Sequence, residues 1–194
     1  DLKTALSLPI NHLSYYSLIL EEHTRLYDNY EPLDEETEGK WSDYIVETLS
    51  HAGFHRYEVS NFALGNHESE HNKVYWHYDN YYGVGIGATG KIDDELISHS
   101  RSLTDYLKGK NTIYIEKETI EDTMFNYLMM SLRLKEGLDL DEFKRRYHCS
   151  VEDVYKEALT KNLGNHSLII ENNHLKTNDT LDLLNSILLD FLPE

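Results

Sequence analysis

The stretch from Tyr57 to Gly90 constrains this 194-residue chain more than any other, because three short segments in it demand different backbones. Tyr57-Glu58-Val59-Ser60-Asn61-Phe62-Ala63 is β-branched and aromatic around a Ser-Asn pair, which suits a strand whose tip presents polar groups. His71-Asn72-Lys73-Val74-Tyr75-Trp76 sets a His-Asn pair beside two large aromatics. Gly83, Gly85 and Gly87 then alternate, which lets something approach the backbone closely.

Composition narrows the function classes. Apolar residues make up 40% of the chain, enough for a core. No apolar run reaches the roughly 20 residues that span a bilayer. The net charge of −17, from 35 acids and 18 bases, repels phosphate backbones and argues against a nucleic-acid partner. The single cysteine, Cys149, excludes an internal disulfide framework and a thiolate-held iron–sulfur cluster within this chain, and fits a cytoplasmic protein. Eleven histidines and 15 tyrosines suit a flat macrocycle or a metal, and equally suit plain packing. The chain starts Asp1-Leu2-Lys3-Thr4, with no methionine, basic cluster or apolar signal core, and is expected to begin inside a longer chain.

Taken in order, the pattern predicts an α/β part followed by a helical part. His12 to Leu20 is near-continuously apolar and reads as a strand buried on both faces, as in parallel sheets. Asp34-Glu35-Glu36 opens a helix with Trp41, Ile45 and Leu49 on one face and Gly53 as its stop. Phe54 to Val59 reads as the next strand, giving a βαβ unit with a parallel pair. Asn72 to Tyr78 is expected as a single helical turn, and Tyr81 to Gly87 as a strand paired with Ile97–Arg101. Leu103 to Lys108 is a short helix ended by Gly109. A boundary is placed near 110–112, dividing 1–110 from a C-terminal domain over 113–194. There Thr119-x-x-Asp122, Asp139-x-x-Glu142 and Ser150-x-x-Asp153 cap three helices, and Met124, Leu128 and Leu132 form a core stripe. Asn172-Asn173 between two apolar runs is a hairpin signal, and a last helix carries Leu181, Leu184, Ile187, Leu188 and Phe191. Helices followed by a hairpin suggest a winged-helix-like module, but Glu152, Asp153 and Glu157 outnumber Lys156 and Lys161 on its candidate recognition helix, Val151–Asn162, which argues against DNA.

Each motif has a functional and a plainer reading. His71 can ligate a metal through a neutral imidazole while Tyr75 and Trp76 wall an apolar ring; equally, Trp76 anchors a core and His71 bonds to backbone. Gly85-x-Gly87-x-x-Gly90 matches the dinucleotide fingerprint, but Lys91-Ile92-Asp93-Asp94 reads as a turn where that fingerprint needs a helix. A glycine-lined wall beside a cofactor or a bent strand explains it better. His67-Glu68-Ser69-Glu70-His71 is a literal H-E-x-x-H, so a zinc hydrolase using His67, Glu68 and His71 is a third reading, although no buried helix fits that sequence.

The Tyr57–Ala63 segment, the H-N-x-x-Y-W segment and the G-x-G-x-G-A after it resemble the heme chaperone (HemW) branch of the oxygen-independent coproporphyrinogen III oxidase family, which are radical S-adenosylmethionine (SAM) proteins. The likeness runs from about His12 to the C-terminus. The family's C-x-x-x-C-x-x-C motif and Gly-rich SAM motif are absent, and Ala88-Thr89-Gly90 replaces the Ala-His-Ser of many relatives. The resemblance implies the C-terminal part of a longer protein: the last strands of a partial radical-SAM barrel over 1–110, then the family's C-terminal domain. It implies heme as ligand, with His71, Asn72, Tyr75 and Trp76 in heme handling and His71 as candidate iron ligand. It places Ala63 near SAM, with Asn61 and Ser60 nearby; Gly85 and Gly87 keep the residue-based reading of a cofactor wall or a bent strand. The longer parent would carry a four-iron iron–sulfur cluster and SAM and deliver heme to apo-hemoproteins; the sister activity is oxidative decarboxylation of coproporphyrinogen III. The fragment should be inert in radical chemistry. Expected partners also include a second copy, through the apolar run His12–Leu20, and a membrane surface for the parent, without a spanning segment.

Overall fold

A computed structural model describes residues 1–20, 22–30 and 33–192, which form two compact units, Asp1–Ser69 and Glu70–Glu194. In the first, α1 (Leu2–Ala5) leads to β1 (His12–Ser14). Helix α2 (Glu35–His51) starts where Asp34 accepts the Thr37 N–H at 2.9 Å, with Glu35, Glu36 and Glu38 in its first turn, and stops at Gly53, whose φ is +88°. β2 (Phe54–Arg56) and β3 (Asn61–Leu64) follow. Ile45, Leu49, Phe54 and Phe62 form the core, with Leu2, Leu6, Ile10 and Leu13 packed against it. Trp41 departs from the expected stripe. It is 55% exposed and meets Tyr44 edge to face, because the core lies under the later turns of α2.

The expected parallel pair is not formed. The strand order is β1-β3-β2, and β3 runs antiparallel to both neighbours, with Ser14 opposite Asn61 and Arg56 opposite Phe62. The cause lies in Tyr57–Ser60, which turns back instead of extending β2: the Arg56 Nε donates to the Val59 carbonyl at 2.9 Å, and the Ser60 N–H to the Glu58 carboxylate at 3.0 Å. The apolar run after β1 is not a buried strand either. Pairing stops after Tyr15 donates to the Ser60 carbonyl, and Tyr15, Tyr16, Leu18 and Ile19 are exposed, Ile19 by 80%. The strand on which a homodimer was expected is thus only three residues long, at the edge of its sheet.

The second unit opens with α3 (Glu70–Trp76). Of the strand expected over Tyr81–Gly87 only Tyr81 pairs, in a bridge to Lys91, and residues 82–87 are irregular. β4 (Thr89–Ile92) and β5 (Glu95–His99) form a hairpin over Asp93-Asp94; α4 (Leu103–Leu107) then leads to β6 (Ile113–Lys117), giving the antiparallel order β4-β5-β6. The joint expected near 110–112 thus falls within the connection between two strands of one sheet. Helix α5 (Ile120–Ser131) has the capping box of Thr119 and Asp122, and buries Met124, Tyr127 and Leu128. β7 (Leu138–Asp139), α6 (Leu140–Tyr147), α7 (Val151–Val154) and α8 (Lys156–Gly164) follow. The third expected helix is therefore broken, at Tyr155. β8 (Leu168–Glu171) and β9 (His174–Thr177) meet through Asn172 and Asn173, at φ +51° and +65°, and the sheet order is β7-β9-β8. The expected last helix is two 3-10 turns flanking α9 (Leu184–Leu188), with Leu181, Leu184, Ile187, Leu188 and Phe191 buried as their spacing required.

On α6, Glu142 is gripped by both Arg145 and Arg146, with N···O distances of 2.6 Å. The Arg145 hydrogen bonds lead in holding its carboxyl at about 2, against an ordinary 4.5. A depressed folded-state pKa stabilises above the unfolded value and is lost as pH falls through the folded one. Acid titration should therefore lower the unfolding midpoint between pH 4.5 and about 2, and Glu142→Gln should flatten that part of the profile. Identical acid limbs in both chains would refute it.

Candidate functional site

The H-N-x-x-Y-W motif lies on α3, two turns long where one was expected. Helical spacing brings His71 under Tyr75: the hydroxyl is 3.1 Å from Nε2, and the rings meet edge to face at 5.0 Å. Tyr81, beyond the helix, stands edge-on to Tyr75 at 4.6 Å. Burial raises the Tyr81 hydroxyl pKa, with Tyr75 adding to it. The result is an aromatic ladder with an exposed imidazole at its end and half-buried tyrosines behind. Its Nε2 serves one partner at a time, the tyrosine hydroxyl or a metal. Asn72 is half-buried on the same helix. Trp76 is stacked elsewhere: the Arg133 guanidinium carbon lies 4.7 Å from its ring centroid.

The segment just past α3 fixes the end of that helix. Tyr78 is buried at φ +56°, and its hydroxyl donates to the Glu118 carboxylate at 2.6 and 2.7 Å. Asn126 donates to that carboxylate at 2.7 Å, and Lys91 Nζ sits 4.1 Å from the Tyr78 ring centroid. Burial pushes the Tyr78 hydroxyl well above its ordinary range, the Glu118 hydrogen bond adding to it. Burial lowers the Lys91 ammonium, which Glu118 opposes. From α6, Arg146 donates to the His77 carbonyl at 3.0 Å and to Asp79 at 2.9 Å.

Among the glycines, Gly83 and Gly90 face each other so closely that a Cβ on Gly83 would lie 2.5 Å from the Thr89 carbonyl carbon. There the close approach is the chain's own. Gly85 and Gly87, at φ +100° and +67°, lie in the irregular loop, where Val84 is 88% exposed and a Cβ on Gly85 would meet open space. Gly90 sits in β4, so no helix follows the glycines and the dinucleotide fingerprint has no phosphate-facing helix end.

In the first unit, Asn61 and Ala63 are fully buried in the central strand β3. The Asn61 side chain is committed: it accepts from Ser14 Oγ and donates to Glu58 and, at 3.4 Å, to the Tyr16 hydroxyl. Glu58 is also fully buried, and its Oε2 has no partner. His12 Nε2 is 3.0 Å from the Tyr57 hydroxyl; burial lowers its pKa, against the pull of Glu58. The zinc-protease geometry is not formed. His67 and Glu68 precede α3 and are not helical, and Glu68 pairs with His55 at 2.9 Å. Among the described residues no group of three or more His, Cys, Asp or Glu side chains could hold a metal ion. Cys149 is a lone thiol 3.9 Å from Met124 Sδ, so this chain does not fit an iron–sulfur cluster. No helix among the described residues is long and apolar enough to cross a membrane.

The motif spacing disclosed His71 and Tyr75 as a pair. Tyr81, Lys91, Arg133 and Glu58 escaped it. Glu58 alone left a signal, an acid between Tyr57 and Val59 in an otherwise apolar segment.

Known proteins resemble the chain over nearly its whole length. Residues 119–180 match the HemN C-terminal domain family. The heme chaperone HemW of Lactococcus lactis subsp. lactis is 31% identical over 99% of this chain and 53% of its own length. Heme chaperone HemW of Bacillus subtilis is 30% identical over 87% and 47%, and that of Escherichia coli 30% over 82% and 43%. The chain thus spans about half the length of these curated relatives. The solved coproporphyrinogen III oxidase (HemN) from Escherichia coli, described as a radical SAM enzyme, shares the fold, with a TM-score of 0.76 over 98% of this chain and 50% of that one at 15% identity.

Proposed function

Taking the chain as a HemW-type relative that carries the HemN C-terminal domain, we propose that it is the heme-handling half of a heme carrier that passes its cargo to apo-hemoproteins. The observation that carries this is the exposed His71 imidazole backed by Tyr75 and Tyr81 on α3. Heme iron would take the Nε2 position that Tyr75 now meets, and the edge-on tyrosines would give an apolar ring a wall. Asn72 shares α3 with that wall, Trp76 faces Arg133 instead, and Gly85 and Gly87 lie in the irregular loop of the same unit.

The cofactors belong to the longer parent. There, a four-iron cluster with SAM would supply one-electron chemistry when bound. The chain's own part would be the turn Tyr57–Asn61, where the unmet Glu58 Oε2 is an acceptor suited to a cofactor hydroxyl or ammonium, with Asn61 and Ala63 holding the strand behind it. We read residues 1–110 as the last part of a partial barrel with its extension and 113–194 as a winged-helix-like domain; the likeness to HemN supports the α/β fold in which both readings sit. A cytoplasmic location goes with the reading. Self-association and a membrane surface have no support and are not part of it. The second reading, oxidation of coproporphyrinogen III by the parent, rests on the name of the fold neighbour.

The test is a hemin titration of the 194-residue chain. A Soret shift is expected that weakens about tenfold or more in His71→Ala. A spectrum unchanged on adding the chain, or equal in both chains, refutes the role of His71.

A further inference from the structure

Two neighbouring donors in the second unit lack acceptors. The Trp76 Nε1 and the Arg133 Nε are both closed to solvent, and neither has a hydrogen-bond partner. The Arg133 guanidinium lies against the Trp76 ring, its carbon 4.7 Å from the centroid. Arg133 also has no ion pair among the described residues, although the chain holds 35 acids to 18 bases. Arg145 and Arg146 are both matched to carboxylates, and the nearby acid Glu136 is taken by His77 at 3.4 Å. A buried donor left unmet costs free energy that folding must recover elsewhere. Indole offers one donor and guanidinium five, and neither accepts, so they cannot satisfy each other. Only an acceptor meets both, and the cation selects an anion; the planar guanidinium fork matches a carboxylate.

We propose that Trp76 and Arg133 form a carboxylate-binding subsite, and, resting on the heme-carrier reading above, that it takes a propionate arm of the tetrapyrrole. His71 and Trp76 are five residues apart, about 140° around the helix, so no flat ring lies against both. A flexible acidic arm can turn that corner while the ring stays with His71 and Tyr75.

The test uses protoporphyrin IX, the metal-free diacid, and its dimethyl ester, each titrated into the 194-residue chain by porphyrin fluorescence. The diacid should bind about tenfold tighter than the ester, and Arg133→Gln and Trp76→Phe, which keeps the ring and removes only the N–H, should each bring the diacid down to the ester. Equal affinity of diacid and ester in the unaltered chain overturns the proposal without any variant. So does full diacid binding by Arg133→Gln, the result expected if buried water meets both donors, and so does the absence of any porphyrin binding. Without iron, His71 does not enter. A His71-dependent hemin spectrum with diacid and ester equal removes the subsite and leaves the carrier reading. A diacid preference with no hemin shift keeps the subsite and removes His71.

Discussion

Gly137→Ala should destabilise the second unit by about 3 kcal/mol or more, lowering its unfolding midpoint by on the order of 10 °C. Two costs add. Gly137 sits at φ +81°, where an L side chain is strained by roughly 1–2 kcal/mol. A Cβ there would also lie 2.3 Å from the Leu175 carbonyl oxygen and 2.5 Å from the Lys176 Cβ. Both belong to β9, the middle strand of β7-β9-β8, which cannot retreat without breaking its pairing with β8. Leu175 and Leu168 are fully buried on that sheet, so the strain reaches the core. Thermal unfolding of the two chains side by side decides it; a shift of only a degree or two would show that the turn relaxes freely. The same substitution at Gly39, where a Cβ meets nothing within 4 Å and the backbone is helical, is the control for the side chain itself.

Phe143→Ala should cost about 3–5 kcal/mol. Phe143 is 0% exposed on α6, stacked with Tyr127 at 6.2 Å and tilted against Tyr147 at 4.8 Å. Those neighbours are held from elsewhere. Tyr147 donates to the Thr123 carbonyl at 2.8 Å, and Arg146 lies over the Tyr127 ring at 4.4 Å. Burial already pushes the hydroxyls of Tyr127 and Tyr147 up to about 12. With both tyrosines pinned, the void cannot close, which places the cost at the upper end of the range. Phe143→Leu, which keeps most of the volume, should recover more than half of the loss in chemical denaturation. Equal losses for both variants would mean that the ring contacts, not the volume, carry the stability.

Local chemistry made much of the second unit legible. Thr119 with Asp122 and Ser150 with Asp153 close their capping boxes, and the Asn172-Asn173 turn makes its hairpin, because each signal acts within a few residues. The Met124–Leu128–Leu132 stripe is buried as its spacing required. The first unit was harder for a physical reason. Whether Tyr57–Ser60 extends or turns depends on Arg56 and Glu58 bonding to nearby backbone, and hydropathy is blind to such bonds. The apolar run at Tyr15–Ile19 reads as a buried strand because sequence reports affinity for a core, not whether one is present. Trp41 shows the same limit on a helix: period gives the face, not how far along it the core extends. At the site, the i, i+4 pair of His71 and Tyr75 was visible in the spacing, whereas Tyr81 joins through a turn and Arg133 from 57 positions beyond Trp76.

The knuckle at Tyr78 fixes where α3 ends. The chain just past Trp76 is bolted to Glu118, Asn126 and Arg146, so α3 is a fixed backstop rather than a hinged door. On the proposed carrier reading, a ring seated against Tyr75 would leave across the solvent-facing rim at His71. On that same reading, the exposed end of α3 is where a recipient would meet it.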